Sequence, residues 1–161
     1  MIEASQAAKA DPSVIEKQCR DAAKTFRRYP DVEAGFFRRL VAEFTARGDV
    51  AKASAVRKEI IQRNRTERPD LALSEAVEEL SYAMKNKSTD EQVKLFKSQL
   101  SRFRNAGMIT GYRLVEPFVR HLKRQGETAH AKAMIKHTRS RLDVTPDLEL
   151  GRLLERLEVG L

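Results

Sequence analysis

Residues 35–60 read GFFRRLVAEFTARGDVAKASAVRKEI. Phe37, Leu40 and Phe44 recur at steps of three and four, the chain reaches Gly48, and Ala53, Val56 and Ile60 resume the same steps beyond it. Such steps place side chains on one face of an α-helix, and glycine is the residue that most readily ends one helix and turns the chain into another. The stretch therefore predicts two amphipathic helices joined by a tight turn. Forty residues on, the pattern returns as Val77, Leu80 and Met84, a turn at Ser88, then Val93, Phe96 and Leu100. Thirty-eight residues further it returns again as Val115, Phe118 and Leu122, a turn at Gly126, then Ala131, Met134 and Thr138. Only Thr138 departs from the apolar rule.

A lone hairpin cannot cover both sides of such a stripe, so consecutive hairpins must stack. The predicted fold is all-α: a right-handed α-solenoid of stacked antiparallel helical hairpins, about eight helices in all. We expect a single helical-repeat domain over residues 1–161, with an N-terminal helix at 12–28, hairpins at 31–65, 70–105 and 109–142, and a C-terminal helix at 146–158. Start signals support these bounds. Asp11 and Thr145 each stand as a helix N-cap before a proline, and Ser88 with Glu91 forms a capping box. Ile15, Cys19, Ala22 and Phe26 form the stripe of the first helix, and Leu150, Leu153 and Leu157 that of the last. These two lone helices serve as caps of the stack, or the chain is part of a longer array. Pro117 falls inside a predicted helix, where its ring removes an internal hydrogen bond. Regular helix is therefore expected to begin near Pro117, after an irregular lead-in over 111–115.

The first hairpin resembles a degenerate tetratricopeptide repeat, and VEPFVRHLKRQGETAHAKAMIK at 115–136 is similar to it. Phe37, Leu40, Phe44, Gly48 and Ala53 match the family pattern in the first copy, and Val115, Phe118, Leu122, Gly126 and Ala131 in the third. The middle copy has Ser88 for the glycine and Val93 for the alanine, while Val41 and Val119 stand where a small residue is expected. The period of about 39 residues lies between that of tetratricopeptide and HEAT units. The resemblance implies a helix-turn-helix solenoid with a binding role.

The 161 residues carry a net charge of +8, with charged residues at 34%, aromatics at 6% and no tryptophan. That balance suits long exposed helices better than sheets. The charge gathers in residues 106–142, which hold eight basic residues, Arg113, Arg120, Lys123, Arg124, Lys132, Lys136, Arg139 and Arg141, against two acidic ones. A local excess of this kind concentrates anionic partners. The first seven are candidate residues for binding an anionic partner. Residues 143–161 carry a net −3 and offer an alternative, intramolecular use for the same cations. Arg27, Arg28, Arg38 and Arg39 bracket the Pro30 turn as a second basic cluster able to grip a carboxylate or phosphate.

The residues of chemistry do not assemble in the sequence. His121, His130 and His137 lack the four-residue spacing of a helical metal site and read as surface histidines. Cys19 lies on an apolar stripe and reads as core. The adjacent Glu78 and Glu79 read as solvated surface. No catalytic residue, metal or cofactor is assigned, and the expectation is a protein that is not an enzyme. With one cysteine and no apolar run long enough to span a bilayer, a cytoplasmic setting is expected, with no membrane partner and no small-molecule substrate. The leading reading is an interaction scaffold for an acidic peptide or protein partner. Nucleic-acid binding along a basic face is the first alternative, and a structural segment of a larger helical-repeat assembly the second.

Overall fold

The computed structural model describes residues 11–103, 107–142, 144 and 148–161, and among these the fold is all-α, with no strand. The elements are α1 (Pro12–Thr25), α2 (Pro30–Ala46), α3 (Val50–Asn64), α4 (Pro69–Asn86), α5 (Thr89–Arg102), α6 (Gly107–Thr110), a π-helical segment (Gly111–Val115), α7 (Glu116–Arg124), α8 (Thr128–Arg141) and α9 (Glu149–Glu158). No described helix is long and apolar enough to cross a membrane. The first helix ends three residues earlier than the expected Arg28, because the chain turns through Phe26 to Arg28 before Pro30 opens α2. The expected cap at Thr145 lies outside the described residues.

The chain packs as two compact units, divided between Ile60 and Ile61. That division falls within α3, inside the expected 31–65 hairpin. In the first unit α1 lies against α2, and Arg20 of α1 reaches Glu59 of α3 at 3.1 Å. Phe37, Leu40, Val41 and Phe44 of α2 and Ala53, Val56 and Ile60 of α3 are buried, the stripe the sequence marks out. In α1 the buried pair is Cys19 and Ala23; Phe26, expected on that stripe, is 39% exposed.

The second unit has one continuous core drawn from α4, α5, the π segment, α7, α8 and α9. Phe96 of α5 and Phe118 of α7 are fully buried and stacked at 4.6 Å between centroids. Here α4 packs on α5, α5 on α8, and α7 on α8, while α9 lies against α6, α7 and α8. Thr138 is buried with the rest of its stripe because its hydroxyl donates to the Met134 carbonyl at 2.8 Å, which removes the cost of burying it.

The turns at Gly48 and Gly126 are built bond for bond alike. Gly48 N–H donates to Thr45 and Asp49 N–H to Phe44; Gly126 N–H donates to Lys123 and Glu127 N–H to Leu122. This is the paired bonding of a Schellman motif, and it needs the left-handed backbone that glycine adopts without strain. The φ values are +75° and +76°. At the middle turn Ser88 instead forms the expected capping box with Glu91.

Pro117 has the predicted effect. The N–H of Glu116 bonds the Gly111 carbonyl, five residues back, and regular helix resumes with Pro117 in its first turn. The expectation of a solvated Glu78–Glu79 pair fails. Glu79 is buried, 6% exposed, and accepts a hydrogen bond from Gln99 Nε2 at 2.8 Å, so only Glu78 of that pair is solvated. A buried carboxylate survives where a donor on the facing helix meets it, and Gln99 lies twenty residues away in sequence.

Candidate ligand cleft in the second unit

The C-terminal half of α7 is strongly basic because Arg120, Lys123 and Arg124 alternate with the buried Phe118, Val119 and Leu122. Three- and four-residue steps put these cations together on the helix surface. Packing of α9 then brings Arg156 and Leu157 to face them. The result is a cleft of about 440 Å³ lined by Met84 of α4, Pro117, Arg120, Lys123 and Arg124 of α7, and Arg156 and Leu157 of α9. Four cations and three apolar side chains converge there.

The cations are not equally committed. Arg120 is held by Glu116, one turn back, at 2.7 Å. Lys123 Nζ donates to the carbonyls of Leu157 at 3.3 Å and Val159 at 2.8 Å, satisfying groups that the end of α9 leaves open. Arg156 lies close to Tyr112, whose phenol donates to Glu149 at 2.7 Å. That carboxylate pushes the Tyr112 pKa up, and burial adds to it, while Arg156 pulls it partly back. Arg124 is exposed and has no hydrogen-bond or ion-pair partner among the described residues. The cleft thus combines a fixed wall with a guanidinium open to a ligand.

The other predicted cations lie elsewhere. Arg113 is exposed on the π segment and donates to Ser74 Oγ at 3.0 Å. Lys132 and Lys136 are exposed on α8 and do not line the cleft. Arg139 pairs with Glu158 of α9 at 2.9 Å. The acidic C-terminal helix therefore does take up part of the basic pole, through Arg139 and Lys123. Arg27, Arg28, Arg38 and Arg39 are all exposed in the first unit. Arg38 stands eight residues into α2, about 12 Å along its axis from Pro30, so the turn does not by itself draw the two pairs together.

The histidines are half-buried rather than on the surface. His121 donates from Nε2 to Gln92 Oε1 at 3.1 Å, while Gln92 Nε2 donates to the Lys87 carbonyl at 2.8 Å. Burial lowers the His121 pKa, and the nearby charge of Arg124 lowers it further. His130 lies 2.9 Å from Glu127 and 4.0 Å from Asp90. No three described His, Cys, Asp or Glu side chains are grouped so that they could hold a metal ion.

Arg156 is the cleft residue that sequence reasoning missed. It sits in a segment whose net charge is negative, and only the packing of α9 turns it toward α7. Comparison with family models, curated proteins and solved structures found no match to this chain.

Proposed function

We propose that the chain is a non-enzymatic helical-repeat interaction module whose second unit takes an acidic peptide, or the acidic segment of a protein partner, in the cleft between α7 and α9. The observation that carries this reading is the convergence of Arg120, Lys123, Arg124 and Arg156 on a cleft also lined by Met84, Pro117 and Leu157. A bare polyanion would leave the apolar lining unused, and a purely apolar segment would bury Arg124 without a counter-ion, which is costly. A peptide that alternates carboxylates with leucine or phenylalanine satisfies both. The volume falls within the roughly 300–1,000 Å³ common to small ligand sites, enough for an anchoring side chain and its neighbours. The twin Schellman turns, 78 residues apart, support the repeat reading.

The test is fluorescence anisotropy with a labelled peptide of glutamate, leucine and phenylalanine. Arg124→Glu should weaken binding about tenfold, a change of about 1.4 kcal/mol, and Arg156→Glu should do likewise. Replacing leucine and phenylalanine in the peptide by serine should also weaken it. Binding unchanged by both charge reversals would remove the cleft from consideration.

A further inference from the structure

The first unit carries aromatic surface that its own core does not use. At the turn between α1 and α2, Tyr29 is 64% exposed and Phe26 is 39% exposed, with Arg27 and Arg28 exposed between them. Phe26 stacks on Phe36 at 5.8 Å between centroids, so one flank of its ring is supported from within the unit. Val32 continues the apolar surface into α2.

The backbone under these rings is held in place. Tyr29 N–H donates to the Phe26 carbonyl at 2.8 Å, and the Tyr29 carbonyl accepts from Glu33 N–H at 2.9 Å. Pro30, at the start of α2, restricts the residue before it to extended backbone, and Tyr29 has φ −122° and ψ 85°. A ring presented from a backbone already fixed loses little further freedom when a ligand docks on it.

The charges around the rings are available. Lys24, Arg27 and Arg28 are exposed and have no hydrogen-bond or ion-pair partner for their side chains among the described residues. The nearby exposed carboxylates are Asp21 and Asp31. The cations outnumber them, and Asp31 already has an interaction of its own.

We infer that this turn is a contact site for single-stranded nucleic acid, with Tyr29 stacking on a base and Lys24, Arg27 and Arg28 holding the adjoining phosphates. An exposed flat ring among unpaired cations is the combination by which proteins bind single strands without reading sequence. A phosphate accepts bidentate bonds from guanidinium groups, and a base supplies the planar partner that a tyrosine face calls for. An acidic peptide would match the cations but not the ring. The site shares no residue with the α7–α9 cleft and is argued without it.

The experiment uses the full chain and labelled oligouridylate and oligothymidylate, followed by anisotropy at about 50 and about 200 mM salt. Binding should weaken steeply with salt. Tyr29→Phe should retain it, while Tyr29→Ala and Tyr29→Leu should each lose roughly tenfold, since leucine is apolar but has no ring to stack. Arg27→Glu with Arg28→Glu should reduce both the affinity and its dependence on salt. In an Arg124→Glu background oligonucleotide binding should keep its dependence on Tyr29, so failure of the peptide cleft and failure of this site can be told apart. Circular dichroism of each variant checks that the helices persist. The inference is overturned by absence of binding at low salt, or by Tyr29→Leu binding like the parent. It is equally overturned if the same variants abolish binding to anionic phospholipid vesicles or self-association while oligonucleotides do not compete.

Discussion

At Gly111 a single hydrogen decides how closely two parts of the second unit approach. An added Cβ there would sit 2.5 Å from Leu150 Cδ1 and 3.4 Å from Leu153 Cδ2, both on α9. The leucine tips can move, but both side chains are buried in a packed core, so their movement has a cost. Gly111→Ala should destabilise the protein by about 1–2 kcal/mol in urea unfolding. The loss should shrink in a Leu150→Val background, where the clashing methyl is repositioned or gone. An equal loss in both backgrounds would place the cost in the π-helical backbone instead. Gly111 was legible only as the first residue of an irregular lead-in; what its missing side chain accommodates depends on Leu150 of α9, 39 residues later. Glu79 makes the same point with a polar group. Its position beside Glu78 suggested solvent, and only Gln99 on α5 explains its burial.

Between elements, the imidazoles of His121 and His137 sit half-buried where α7 and α8 meet α5. His121 bonds Gln92 of α5, and His137 feels Lys97 of α5 and Arg141 of its own helix. Burial is the largest cause of the lowered pKa at each, and neighbouring positive charge adds to it. Both groups therefore hold a proton less readily in the folded chain than at their ordinary value of 6.5. Above 6.5 they are neutral in both states; as the pH falls through the folded values the unfolded chain binds more protons, and stability is lost. The urea midpoint should thus drop between about pH 7.5 and about pH 5, and replacing both histidines by glutamine should flatten that drop. A slope unchanged in the double variant would assign it to carboxylates. Asp70, held to about 2 by the forked bonds of Arg68, contributes at much lower pH. Its contribution is present above 3.8 and is lost as the pH falls through about 2.

Across the whole molecule, the division into two compact units sets how damage to the core is read. Phe96 is fully buried in the second unit and stacked on Phe118. Phe96→Ala should cost about 3–5 kcal/mol, seen as faster hydrogen exchange in peptides from residues 61–161. Unchanged exchange there would mean that the core refills the space. The helices themselves, the apolar stripes and the two glycine turns were readable from the sequence, because three- and four-residue steps, caps and left-handed glycines are properties of neighbouring residues. The lead-in before Pro117 was readable for the same reason, since a missing N–H acts on the turn that contains it. The burial of Glu79, the arrival of Arg156 opposite Arg124, the exposure of Phe26 and the division within α3 were settled only by tertiary packing. Each depends on which side chains from distant segments come to lie together, and local periodicity carries no information about those partners.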